Sequence, residues 1–164
     1  MPETLPKELL EKIGGAKPAE EWKDVPEVTP EDLAKADVVI FCCPTRFGMM
    51  ASQMKAFLDG CGGIWQSGAT VGKVAGVITS SNTQHGGQET TILSFHTVLL
   101  HFGFLVGGLP YSFSEQTKLD EINGCSPYGA STIAGARMPS ETELKGASFQ
   151  AEHLTTIGSK LFDK

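Results

Sequence analysis

Two uninterrupted apolar runs, residues 37–43 (DVVIFCC) and 73–79 (KVAGVIT), limit what this chain can fold into. Neither alternates apolar with polar side chains. Runs of this length, rich in Val and Ile, fit strands buried on both faces. Such strands belong to parallel sheets flanked by helices, so the intervening segments should supply helices.

They do. Residues 52–58 carry Met54, Phe57 and Leu58 at helical spacing, and 60–63, rich in Gly, ends that helix. Residues 88–101 place Ile92, Phe95, Leu99 and Leu100 on one side, with Gly103 as the stop. Phe104, Leu105 and Val106 predict a third strand. Residues 119–136 read as a long irregular stretch. Pro139-Ser140-Glu141 starts a last helix running to about Leu161, in which Ser140 and Glu143 form a capping box. Upstream, residues 5–13 have helical spacing with a Gly14-Gly15 stop, and 16–28 read as a loop. Thr29 caps a short helix to Lys35, with Pro30 at its first position and acids in its first turn.

Alternation of strand, loop and helix predicts an α/β fold, an open parallel sheet with helices on both faces. Ligands of such sheets sit outside the carboxyl ends of the strands. The candidate loops are therefore 44–50, 80–87 and the stretch from Leu109 onward.

At 164 residues, one domain spanning 1–164 is expected. A formal net charge of -6, with Lys and Arg scattered, argues against a nucleic-acid groove or an anionic membrane surface. No apolar run reaches a membrane span, and from residues 1–4 no signal peptide is expected. Cys42, Cys43, Cys61 and Cys125 form no CxxC pair and are expected as reduced core thiols in a cytoplasmic protein, Cys42 and Cys43 pointing to opposite faces. No His pair has metal-ligand spacing, and no Walker A, GxGxxG or Gly-x-Ser-x-Gly is present.

Two loops carry residues suited to a flat, electron-rich ligand. In the first, Thr45 offers a hydroxyl, Arg46 a charge and Phe47 a stacking surface, before a helix whose N-terminus is positive. The bland alternative is a strand–helix turn with Arg46 solvated and Phe47 in the core. In the second, Ser80, Ser81, Asn82, Thr83, Gln84, His85 and Gly86 could read the polar edge of a ring, or form a surface turn. Trp65 could wall a flat-ligand site or anchor the core.

PTRFGMM (44–50), QMKAFLDGCGGIW (53–65), GGQETT (86–91) and SPYGASTIAG (126–135) together resemble the WrbA-type NAD(P)H:quinone oxidoreductases, as does the opening PETLPKELLEKIGG. The similarity runs in order over essentially the whole chain. It implies a flavodoxin-like fold, an FMN cofactor, NADH or NADPH as hydride donor, a quinone as acceptor, and a homotetramer whose neighbouring subunits complete each site. By motif, Thr45, Arg46 and Phe47 would line the flavin, residues 80–86 would wrap its polar end, and Trp65 would wall the pocket shared by nicotinamide and quinone.

Several residues depart from the family pattern. Its usual N-terminal strand, phosphate-binding loop and helix are expected to be missing, which would weaken FMN and leave residues 37–43 as an apolar edge. His101-Phe102 stands for a His pair, making Phe102 the flavin contact. Asn82 and His85 stand where Gly is usual, and the turn after Gly135 is shortened to Ala136-Arg137-Met138-Pro139. An alternative is a flavin-poor, catalytically silent paralogue or splice form acting as an assembly partner. A response-regulator receiver fits poorly, because Pro44-Thr45 stands where a phosphoryl-accepting Asp would be needed.

Overall fold

The computed structural model describes residues 5–12, 23–135 and 137–162. Helices α1 (Lys7–Lys12) and α2 (Pro30–Lys35) precede strand β1 (Val38–Arg46). Strand β2 (Met49–Met50), helices α3 (Ser52–Gly60) and α4 (Gly62–Gln66), strand β3 (Val74–Ser81) and helix α5 (Gln88–His101) follow. Strand β4 (Leu105–Val106), a 3-10 turn (Ser114–Thr117), strand β5 (Ser131–Ile133) and helix α6 (Glu141–Phe162) complete the order.

β3 is the axis of the sheet. β1 runs parallel to it from the Val38–Val74 pair to the Pro44–Ser80 pair. Its other edge is shared by two short parallel pieces, β4 at Val74 and Ala75 and β5 at Thr79–Ser81. The chain leaves that edge after Val106 and returns at Ser131, which splits one strand position in two.

Helices cover both faces. Ala75 and Val77 point into a core with Met54, Phe57 and Leu58 of α3 and Ile92, Phe95 and Leu99 of α5. Phe41 joins this core, its ring 5.2 Å from that of Phe95. On the opposite face, Gly76 leaves room for α6: a Cβ there would lie 2.4 Å from Leu154. The buried stripe of α6 includes Glu143, Gly146, Gln150, Leu154 and Gly158, spaced at three to four residues as a packed helix requires.

Both predicted caps form. Thr29 accepts from Asp32 N, and the Asp32 carboxylate accepts from Thr29 N, closing a capping box. Ser140 Oγ accepts the Glu143 N–H at 3.2 Å, and Glu143 accepts the Ser140 N–H at 2.8 Å.

Some expectations need correction. β3 is buried on both faces, but β1 is not: Val38, Val39 and Ile40 are half-buried and Cys42 is exposed. Among the described residues, no strand pairs with the outer edge of β1 between Val38 and Pro44; only β2 pairs there, at Thr45 and Arg46. Cys42 is thus no core thiol, although Cys43 and Cys61 are buried. Leu100 points outward. Gly62 and Gly63 open α4 instead of ending a helix, so Trp65 is helical. The irregular stretch 119–136 contains β5. Ile13, the Gly14-Gly15 stop, most of the 16–28 loop and Ala136 lie outside the described residues.

Candidate functional site

The carboxyl ends of β1 and β3 carry the two predicted ligand loops, and the structure locks them together. β1 turns back into β2 through Phe47 and Gly48, with φ of 54° and 79° and the Arg46–Met49 pair closing the turn. Positive φ at both central positions defines a type I′ hairpin. Phe at the first of them is a strained choice, since the left-handed region disfavours a Cβ. Its side chain is fully exposed at 105%. The ring therefore gains nothing from packing within the subunit.

Thr45 Oγ1 accepts the Gly48 N–H at 3.1 Å and the Thr91 hydroxyl at 2.7 Å. Thr91 is completely buried on α5. Gly87, the N-cap of α5 with φ 101°, passes so close that a Cβ there would lie 3.0 Å from Gly48 Cα. Hairpin and loop thus meet at two glycines, and any side chain at Gly87 would separate them.

The second loop is clamped on a single carbonyl. Thr83 O accepts from Ser81 Oγ at 2.8 Å, Gly86 N at 3.1 Å and Gln88 Nε2 at 3.1 Å. His85 takes φ 58°, while Asn82 stays out of the positive region. Of the two departures from glycine, His85 alone carries backbone strain. Among the described residues no acceptor pairs with the main-chain N–H of Gln84, His85 or Gly87. These donors sit at the positive end of a 14-residue helix, an arrangement that suits an electron-rich edge. Arg46 donates Nη1 to Thr45 O at 2.9 Å and is otherwise solvent-facing.

A cavity of about 300 Å³ lies beside this loop, between Gln84, His85 and Gly87–Thr90 on one side and Asn123, Gly124, Cys125 and Ile133 on the other. Burial pushes the Cys125 thiol up, so it lines the cavity protonated. Among the described residues no group of three or more His, Cys, Asp and Glu could hold a metal.

Thr45, Arg46, Phe47 and residues 80–86 are therefore brought together. Trp65 and Phe102 are not with them. Trp65 donates Nε1 to His101 O at 2.8 Å, and the Phe102 carbonyl accepts from Thr70 Oγ1 at 2.7 Å. Both lie beside the far end of α5, Trp65 from α4 and Phe102 as the C-cap, and the 14 residues of α5 place its ends roughly 20 Å apart. Phe102 is 8% exposed, its ring 6.5 Å from Phe104, whereas Trp65 is 55% exposed. Gly87 closes the predicted 80–87 loop and Thr91 lies in the GGQETT stretch, but sequence assigns neither a role, nor any to Asn123 and Gly124. Thr91 shares a helix face with Gln88 at i+3, the only local signal for it.

The residues fit the ring and polar edge of a flavin on two observations: unpaired main-chain donors at Gln84, His85 and Gly87, and an aromatic ring held in solvent at Phe47.

The sequence model of the NADPH-dependent FMN reductase family matches residues 8–118. A protein named NAD(P)H dehydrogenase (quinone) from Geobacter sulfurreducens is 56% identical over 164 residues, covering 98% of this chain and 81% of that protein. Proteins of the same name from Syntrophus aciditrophicus and Methanosarcina acetivorans are 55% and 53% identical, covering 99% and 100% of this chain and 81% and 82% of their own lengths. Among solved structures, a flavodoxin, WrbA-like protein from Agrobacterium tumefaciens superposes with a TM-score of 0.64 at 22% identity, over 79% of this chain and 71% of that one.

Proposed function

The chain belongs to the NADPH-dependent FMN reductase family, and from that premise we propose that it is an FMN-dependent NAD(P)H:quinone oxidoreductase, built as a single flavodoxin-like domain. The overall reaction moves a hydride and a proton: NAD(P)H is oxidised to NAD(P)⁺, and the quinone, with one proton from solvent, becomes the hydroquinone. Bound FMN supplies the hydride relay between donor and acceptor, which no side chain of this chain provides.

The observation that carries this reading is the union of the Thr45–Gly48 hairpin with the Ser81–Gly87 loop at the carboxyl ends of β1 and β3. Phe47 would stack on a flat ring, Thr45 and Arg46 would line it, and the loop of Ser80, Ser81, Asn82, Thr83, Gln84, His85 and Gly86 would wrap its polar edge. The residues gathered here serve a ring; their one permanent cation, Arg46, donates to its neighbour's carbonyl. We therefore expect FMN to be held weakly by this chain.

Trp65 and Phe102 sit at the other end of the subunit. An exposed Trp65 would wall the site of a neighbouring copy, within a homotetramer; buried Phe102 would act there through packing alone. Four free thiols suit a reducing cytoplasm, and no helix among the described residues is long and apolar enough to cross a membrane.

The test is NADPH oxidation by the purified protein with menadione, with and without added FMN. Turnover that rises with FMN supports the reading. No turnover at saturating FMN, with the fold intact by circular dichroism, overturns it in favour of a catalytically silent partner. A stoichiometric flavin band in the protein as purified would overturn the weak binding.

A further inference from the structure

The most heavily bonded side chain of the site region is an acid with no hydrogen bond to either of the loops 44–50 and 80–87. Glu143, on the first turn of α6, is 1% exposed. Its Oε1 accepts from Gly124 N at 3.0 Å, Ile133 N at 3.2 Å and Arg137 Nη2 at 2.7 Å. Its Oε2 accepts from Thr132 Oγ1 at 2.8 Å, Ser140 N at 2.8 Å and Arg137 Nη1 at 2.9 Å. Six donors saturate a carboxylate that has about four lone-pair sites. A helix cap requires only one of them, the Ser140 N–H.

The other partners are not scattered. Gly124 and Ile133 line the cavity opposite Gln84 and His85. Thr132 and Ile133 belong to β5, which pairs with Ser80 and Ser81 where the ligand loop begins. One residue further, Ala134 N donates to Ser81 O at 2.7 Å, and Gly135 passes beneath Asn82, where a Cβ would lie 2.8 Å from the Asn82 carbonyl. From Glu143 the connection to the loop is thus two steps: carboxylate to β5, β5 to Ser81 and Asn82. A third tie closes the cage, Ser131 Oγ donating to Gly124 O.

We propose that Glu143, clamped by Arg137, is a positioning residue of the candidate site, fixing both the far wall at Asn123–Cys125 and the start of the Ser81–Gly87 loop. The inference rests on the oxidoreductase reading for what the site binds, but not for the coupling itself. Arg137 contributes the fork that lets one buried carboxylate serve both walls; its guanidinium grips both oxygens while its own tip remains partly in solvent. A Lys there would supply charge without the two-pronged grip.

Three variants test this: Glu143→Gln, Arg137→Lys and, as a milder change should the first not fold, Thr132→Val. Amide hydrogen exchange is read over 81–87 and 122–126 without ligand, and FMN affinity by fluorescence quenching. KM and kcat for menadione are read at saturating FMN. The expected result is exchange about tenfold faster in both segments and FMN or quinone binding weakened about tenfold, with kcat at saturation kept within about twofold. Arg137→Lys should show the same pattern at smaller size. If the melting temperature falls while exchange over 81–87, FMN affinity and KM all stay at wild-type values, Glu143 is a fold residue only and the proposal fails. If wild-type protein neither binds FMN nor turns over, the oxidoreductase reading fails, and the exchange comparison alone decides the positioning role.

Discussion

The Thr91 hydroxyl donates to the Thr45 hydroxyl across 2.7 Å, tying the first turn of α5 to the end of β1. Thr91 is buried and Thr45 also holds the Gly48 N–H, so one donor fixes the pose of the hairpin that presents Phe47. Thr91→Val keeps the volume and removes the donor. Losing one hydrogen bond of this kind costs about 0.5–1.5 kcal/mol. We expect a correspondingly lower urea midpoint and an FMN affinity reduced several-fold. A variant that loses stability but binds FMN as the wild type does would show that the tie serves the fold alone.

His85 bears backbone strain that a glycine would avoid. Left-handed backbone costs a residue with a Cβ roughly 1–2 kcal/mol. His85→Gly should raise the melting temperature by about 2–4 °C, allowing for glycine's extra entropy in the unfolded chain. Calorimetry decides it. A lower melting temperature would mean that the imidazole contributes more than the backbone strain removes.

Phe47 has the same backbone strain but a different expected outcome. Its ring is wholly in solvent, so nothing in the subunit repays the strain. Strain that persists without local compensation points to use of the side chain. Phe47→Gly should leave the melting temperature unchanged or raised, while menadione turnover at subsaturating FMN falls at least about tenfold, the loss of about 1.4 kcal/mol of stacking. Full activity in that variant would remove Phe47 from the site.

Glu143 also sets a pH limit. Burial pushes its carboxyl up, but the hydrogen bonds from Arg137, Ser140, Thr132 and Ile133 outweigh burial, and the net value lies below the ordinary carboxylate range. A carboxyl depressed in the folded state contributes stability that is fully present above its unfolded value, about 4.3, and lost as pH falls through the folded value. Urea midpoints should therefore drop between about pH 4.5 and lower pH. Glu143→Gln should be less stable at pH 7 and show a shallower drop. Equal slopes in the two proteins would exclude Glu143 as the source.

Local signals were legible in the sequence; distant ones were not. Thr29 with Asp32, and Ser140 with Glu143, announce helix starts within four residues, and both caps form. Residues 88–101 are bounded by glycines and helical in between. The β1–β2 hairpin gave no such signal, because Phe stands where a type I′ turn ordinarily shows Asn or Gly. β5 is three residues long and is a strand only because Thr79–Ser81 lie beside it. In sequence Glu143 reads only as a capping residue, because its bonds to Thr132 and Ile133 exist once β5 joins the sheet and those to Gly124 and Arg137 once the loops on either side of β5 fold over it. Thr45 and residues 80–86 were identified as neighbours because strand ends in such sheets share one edge. Motif resemblance groups Trp65 and Phe102 with them, and the fold puts both at the other end of α5.

The outer edge of β1 exposes a hazard that the rest of the sheet avoids. Residues 38–44 (VVIFCCP) carry no charge, and among the described residues nothing pairs with their outer edge. An unguarded apolar edge offers its main-chain groups to another chain, and a lysine there is the usual deterrent. Cys42 is exposed and points away from the main core, so Cys42→Lys can be accommodated without disturbing Phe41 or Cys43. Its thiol could also drive association by oxidation, which Cys42→Ser with reducing agent separates. We expect light scattering of concentrated wild-type protein to grow with time in reducing buffer. Cys42→Ser should behave like the wild type and Cys42→Lys should grow markedly more slowly, with all three melting alike. Equal growth in all three would show that the edge is not the route of association; equal suppression by Cys42→Ser and Cys42→Lys would assign it to the thiol.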